Sequence, residues 1–116
     1  MRSLDSVPPQ VNERISRLQS TQSAYDTTVL QRQRVQEELS EVESSLETLG
    51  QEQQNEVYQF AGRILVKRDK NKVETELKEK QELLKLRSSA LERQEEKLKE
   101  KIKELEDTIR SSLKSQ

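Results

Sequence analysis

At 116 residues, with 29% hydrophobic, 37% charged and 3% aromatic residues, the chain is too polar to bury a globular core, so it needs partners or a filamentous fold. A formal net charge of -1 offers no concentrated cationic surface for nucleic acid. The lack of cysteine and histidine removes disulfides, thiolate metal sites and the usual acid-base group, which argues against an enzyme, a metal or a cofactor.

Low hydrophobicity also suits disorder, but a disordered chain of this kind carries a large net charge and lacks periodicity. Heptads are plain here, so disorder is expected only at the ends. No apolar run is long enough to span a bilayer and no signal-peptide pattern is present, so no membrane contact and a cytoplasmic location are expected.

Met1 to Val7 is short and mixed, and Pro8-Pro9 makes a stiff entry whose second proline is tolerated in a first helical turn. A helix is predicted over about 9–49, with Gly50 placed to cap its C-terminus. Val11, Ile15, Leu18, Tyr25 and Val29 follow a four-three stripe with Gln22 filling one place, and Val35, Leu39, Val42, Leu46 and Leu49 follow a second. The two are out of phase. Joining them through Arg32 takes a three-residue step, a stammer that overwinds the supercoil.

A polar linker from Gly50 leads into Glu56-Val57-Tyr58-Gln59-Phe60-Ala61-Gly62-Arg63-Ile64-Leu65-Val66-Lys67, where apolar residues crowd without helical spacing. Tyr58 and Phe60 are two of three aromatic residues, and β-branched or aromatic types flank Gly62, which predicts a short β-hairpin within about 50–70. A Gly62-Arg63 loop suits a type II′ turn better than Ala61-Gly62. Either two-residue loop puts Val57, Gln59, Ile64 and Val66 on one face and Tyr58, Phe60 and Leu65 on the other.

The second helix is predicted over about 71–113, with Asn71 and Glu74 at capping-box spacing. Leu77, Leu84, Leu91, Leu98 and Leu105 repeat every seven residues, Ile102 and Ile109 complete the pattern, and Leu83, Leu86 and Ala90 widen the stripe. Glu74 with Lys78, Glu76 with Lys80, Glu95 with Lys99 and Glu106 with Arg110 stand in the favourable order four apart. The paired carboxylates Glu95-Glu96 have no base partner, and the lysines near Lys97 to Lys103 fit a solvated face.

Two helices of similar length about a central turn predict a mainly α fold, a long antiparallel coiled-coil hairpin with one central β-hairpin, as a single domain over 1–116. Leu49 then meets Val73 at the base and Val11 meets Leu113 at the far end. Leu4, Val7, Val11 and Ile15 gather there with Leu105, Ile109 and Leu113, either as a seal or as an exposed apolar tip that binds. The β-hairpin, apolar on both faces, is marginal alone and leaves open edges. Closing hairpins from several subunits into a β-barrel platform removes the edges.

Two other classes compete. A leucine-zipper DNA binder needs a basic helix running into the zipper, and the basic segment Arg63 to Lys72 contains the strand-like Ile64-Leu65-Val66. A structural coiled coil that only tethers other proteins does not need the β-hairpin.

The order of coil, Val57-Tyr58-Gln59-Phe60-Ala61-Gly62-Arg63-Ile64-Leu65-Val66-Lys67 and coil resembles the beta-type subunits of the prefoldin family. Val7-Pro8-Pro9-Gln10-Val11 and Ala90-Leu91-Glu92-Arg93-Gln94-Glu95-Glu96-Lys97-Leu98 resemble archaeal members, while Gln59 stands where many relatives have lysine. The resemblance covers essentially the whole chain. It implies a hexameric holdase of two alpha-type and four beta-type subunits, with Val57, Tyr58, Phe60, Ile64, Leu65 and Val66 in the oligomerisation hairpin. Non-native client proteins are held at tips carrying Leu4, Val7, Val11, Ile15, Leu105, Ile109 and Leu113, then passed to a group II chaperonin without ATP. Two isolated glycines make no phosphate-binding loop, in agreement with that last point.

Overall fold

The computed structural model describes residues 7–114. Helix α1 (Pro9–Gln51) leads to strands β1 (Glu56–Ala61) and β2 (Ile64–Asp69) and then to helix α2 (Lys70–Lys114). Two compact units divide the chain. One holds residues 33–89, and the other holds residues up to 32 together with those from 90 onward.

In the unit of residues 33–89 the buried apolar side chains are Val35, Val42 and Leu49 from α1 and Val73 and Leu84 from α2. Their removal from water contributes roughly 1.5 to 3 kcal/mol each before entropy is subtracted. Glu38 pairs with Lys80 at 3.0 Å. Nearer the strands, the Lys70 side chain donates to the Glu52 carbonyl. Partner numbers fall on α2 as they rise on α1, so the segments are antiparallel.

The strands pair with Glu56 opposite Asp69, Tyr58 opposite Lys67, Phe60 opposite Leu65 and Ala61 opposite Ile64. Gly62 and Arg63 therefore form the two-residue loop. Gly62 has φ +64° and no other residue has a positive φ among those described, which fits type II′ and excludes type I′. The two-faced division of the hairpin is the one its alternating residues predict.

Two helix ends differ from expectation. Gly50 lies inside α1, which runs on to Gln51, and its φ is not positive, so it is no left-handed cap. α2 starts at Lys70, and the Asn71 amide donates to Asp69 Oδ1 at 3.4 Å; Asp69 caps the helix, two residues earlier than an Asn71 cap would.

In the other unit Arg14 donates to Ser112 Oγ at 2.8 Å, and Arg32 bonds Glu95 at 2.5 Å, again in antiparallel order. Val11 and Leu91 are buried, and so are Thr21 and Thr28. Each threonine hydroxyl donates to the carbonyl four residues back, Arg17 at 2.7 Å and Ala24 at 2.8 Å. Their methyl groups fill the seam while the hydroxyls are satisfied inside the helix.

These threonines correct the expected stammer. Along α1 the buried positions are 11, 21, 28, 35, 42 and 49, and the half-buried 14, 18, 25, 32, 39 and 46 complete a four-three alternation with them, while 15, 29 and 38 are half-buried beside it. Gln22 is exposed, and Thr21 is 6% and Thr28 3% exposed. The two stripes therefore join without the three-residue step that a stammer takes.

α2 brings a second correction, because Leu83, Leu86 and Ala90 are exposed and do not widen the stripe. Gln81 and Ser88 take the shielded places instead. Ser112 is likewise more shielded than Leu113, and it accepts a hydrogen bond from Arg14. Of the four expected helix pairs, Glu74–Lys78 forms at 3.0 Å. Glu76 turns to Arg68, Lys80 to Glu38, Glu95 to Arg32 and Arg110 to Asp107, because stronger or nearer partners are available.

Candidate functional site

The hairpin is the main apolar surface of the unit of residues 33–89. Tyr58, Phe60, Ile64, Leu65 and Val66 are between 41% and 73% exposed, and Val57 is half-buried. The sheet has two strands, so the outer edge of each is unpaired among the described residues. Exposed apolar faces joined to free strand edges provide both a hydrophobic driving force and backbone donors and acceptors for further strands. A groove of about 410 Å³ opens beside β1, lined among others by Leu49, Val57, Phe60, Val73 and Leu77. Leu49 and Val73 share its wall, as their expected meeting at the base requires.

Polar contacts fix the hairpin at its root. The Lys70 amide donates to the Asn55 carbonyl at 2.8 Å, extending the ladder by one step. Across the strands Lys67 pairs with Glu56 at 2.7 Å, which raises the lysine pKa through the hydrogen bond and adds little in solvent. Arg68 does more. Its Nη1 donates to Gln59 Oε1 at 2.9 Å and to Glu76 Oε2 at 2.6 Å, and its Nη2 donates to Glu76 Oε1 at 2.8 Å. The hydrogen bond from Arg68 holds the Glu76 carboxyl below its usual pKa, against a smaller opposing effect of desolvation. The fork raises the Arg68 pKa in turn.

The second candidate surface is in the other unit. Val11 is buried at 2% exposure, while Val7, Ile15, Leu105 and Ile109 are half-buried. Leu113 is 44% exposed, and Leu4 lies outside the described residues. The accessible apolar area there is thus carried by the edges of half-covered side chains and by Leu113.

The strand-helix link of Arg68, Gln59 and Glu76 is not visible in sequence spacing, because it joins a strand diagonal to a helix face. Arg32 with Glu95 also escapes it. A glutamate four residues before Lys99 suggests a local pair, whereas Glu95 reaches across to Arg32 and raises its pKa through their hydrogen bond. Among the described residues no helix is long and apolar enough to cross a membrane.

The family model described as prefoldin subunit matches residues 12–116. The chain is 41% identical over 112 residues to prefoldin subunit beta of Thermococcus onnurineus, covering 96% of this chain and 97% of that one. It is 42% identical over 112 residues to prefoldin subunit beta of Thermococcus kodakarensis, at 96% of each. The crystal structure of the prefoldin beta subunit from Thermococcus strain KS-1 aligns with TM-score 0.82 at 43% identity, over 93% of this chain and 96% of that one. With the two long helices and central antiparallel hairpin in place, these matches mean that the chain belongs to the prefoldin family of chaperones, among its beta-type subunits.

Proposed function

We propose that this chain is the beta-type subunit of an ATP-independent holdase that binds unfolded proteins, prevents their aggregation and delivers them to a group II chaperonin. The observation that carries the reading is the hairpin, whose exposed Tyr58, Phe60, Ile64, Leu65 and Val66 sit on a sheet with open edges. Such a surface is stable in water only when covered. Four copies and two alpha-type subunits close their hairpins into a β-barrel platform, which removes the edges. The chain acts by binding and has no enzymatic role, and its place of action is the cytoplasm.

The helix ends hold clients. Val7, Ile15, Leu105, Ile109 and Leu113, with Leu4 named from the sequence, offer weak apolar contacts that several arms multiply through effective concentration, while Val11 is buried among the group named from sequence. Weak single contacts also permit release. A denatured client diluted into buffer with the reconstituted hexamer, without nucleotide, tests the reading by light scattering. Suppressed aggregation is expected, and aggregation equal to that with an inert coiled coil would leave a structural tether as the better account.

A further inference from the structure

One side chain of the hairpin links three elements. Arg68 lies on β2 next to the strand's last residue, Gln59 lies diagonally across on β1, and Glu76 lies two turns into α2. The two-pronged contact with Glu76 fixes the plane of the guanidinium, and the third bond, to Gln59, ties the opposite strand to that plane. β2 runs directly into α2 at Asp69 and Lys70, so the chain itself sets a hinge there, and three bonds from one planar group hold that hinge at one angle.

We infer that Arg68, through Gln59 and Glu76, is a positioning residue that sets the angle between the hairpin and α2 and thereby aims the strand edges at the neighbouring subunits. The inference rests on the proposed assembly through the hairpins. Closing a sheet into a barrel requires a particular strand tilt and stagger, so the hairpin's angle on its helices decides whether its edge meets the next strand in register. Gln59 suits the role because it is uncharged, so its carbonyl oxygen accepts from Arg68 without competing with Glu76 for the charge. The apolar side chains supply the attraction and Arg68 supplies the direction.

The chain has no cysteine, so nitroxide labels on Arg63→Cys and Glu79→Cys report the loop-to-helix distance without interference. In the full-length chain that distribution is expected to be narrow, to broaden in Arg68→Ala, and to narrow again in Arg68→Glu combined with Glu76→Arg, where the Gln59 amide group donates to the new carboxylate. Native mass spectrometry with an alpha-type partner is expected to show about tenfold or greater weakening of the six-subunit complex in Arg68→Ala, partial recovery in the swapped pair, and an unchanged helical unfolding midpoint. Gln59→Leu, which leaves the Arg68–Glu76 pair in place, is expected to broaden the distance and weaken assembly even if Arg68→Ala disturbs folding. Undiminished assembly or an unchanged distance in Arg68→Ala and Gln59→Leu overturns the positioning role alone. Failure of the unaltered chain to form the complex overturns the assembly reading beneath it.

Discussion

Replacing Thr21 and Thr28 by valine separates the unbroken seam from a stammered one. Both side chains are buried, and each hydroxyl donates to a carbonyl that also serves the helix. Valine replaces the hydroxyl with a methyl group, worth about 0.8 kcal/mol on burial. The hydroxyl's bond to a carbonyl that already serves the helix does little more than offset its own desolvation, so losing both together is nearly neutral. The net is about 1 kcal/mol of stabilisation per site. Seven residues of helix separate the sites by about 10 Å, so the effects add to about 2 kcal/mol. In guanidinium unfolding followed by circular dichroism at one protein concentration, the double variant is expected to move the midpoint up by about 0.5 M. Gln22→Leu, at an exposed position, is expected to stay within about 0.5 kcal/mol. The reverse ranking, with Gln22→Leu stabilising and the threonine changes costly, would refute the seam assigned here.

Four further outcomes are expected. Phe60→Asp places a charge on an exposed apolar hairpin residue and should leave the isolated chain helical while abolishing the hexamer, as sedimentation velocity would show; a normal hexamer counts against the barrel role. Changing Leu105, Ile109 and Leu113 together to serine should preserve assembly and reduce suppression of client aggregation severalfold, and unchanged suppression sinks the client-binding role of the helix ends. Leu83→Gln with Leu86→Gln should shift stability of the chain by no more than about 1 kcal/mol, since both side chains are exposed; a loss of about 4 kcal/mol or more would mean that they are buried. The folded Glu76 pKa is lowered from the ordinary 4.5, so its contribution is complete above that value and fades as pH falls through the lowered one. Assembly of the unaltered chain should therefore lose this contribution only in acid, and Glu76→Gln should be weaker at neutral pH with a smaller acid dependence.

The hairpin was legible because Tyr58, Phe60 and the β-branched residues beyond Gly62 break helical spacing, and a two-residue loop leaves only one division into faces. The helices were legible from leucines seven apart. The phase of the first seam was not, because the half-buried Ile15 and Val29 flank the seam beside Arg14 and the buried Thr28, so counting apolar residues alone selects the flank and passes over the polar seam positions. Extending Val35, Val42 and Leu49 backwards by sevens lands on Thr28, Thr21 and Arg14 and would have found it. Leu83 and Leu86 misled for the same reason in reverse, being apolar without being shielded. Arg68 with Gln59 and Glu76 depends on where a strand face meets a helix face, which no local periodicity encodes. At the helix ends the described residues among those named from sequence share one unit, but their degree of cover varies from buried Val11 to exposed Leu113.

The most direct test of assembly through the hairpin is the native mass of this chain alone and after mixing with an alpha-type prefoldin subunit. A stable complex of six subunits, two alpha-type and four of this chain, is predicted. A mixture that remains monomeric or dimeric at micromolar concentration would contradict the account and leave a tethering coiled coil in its place.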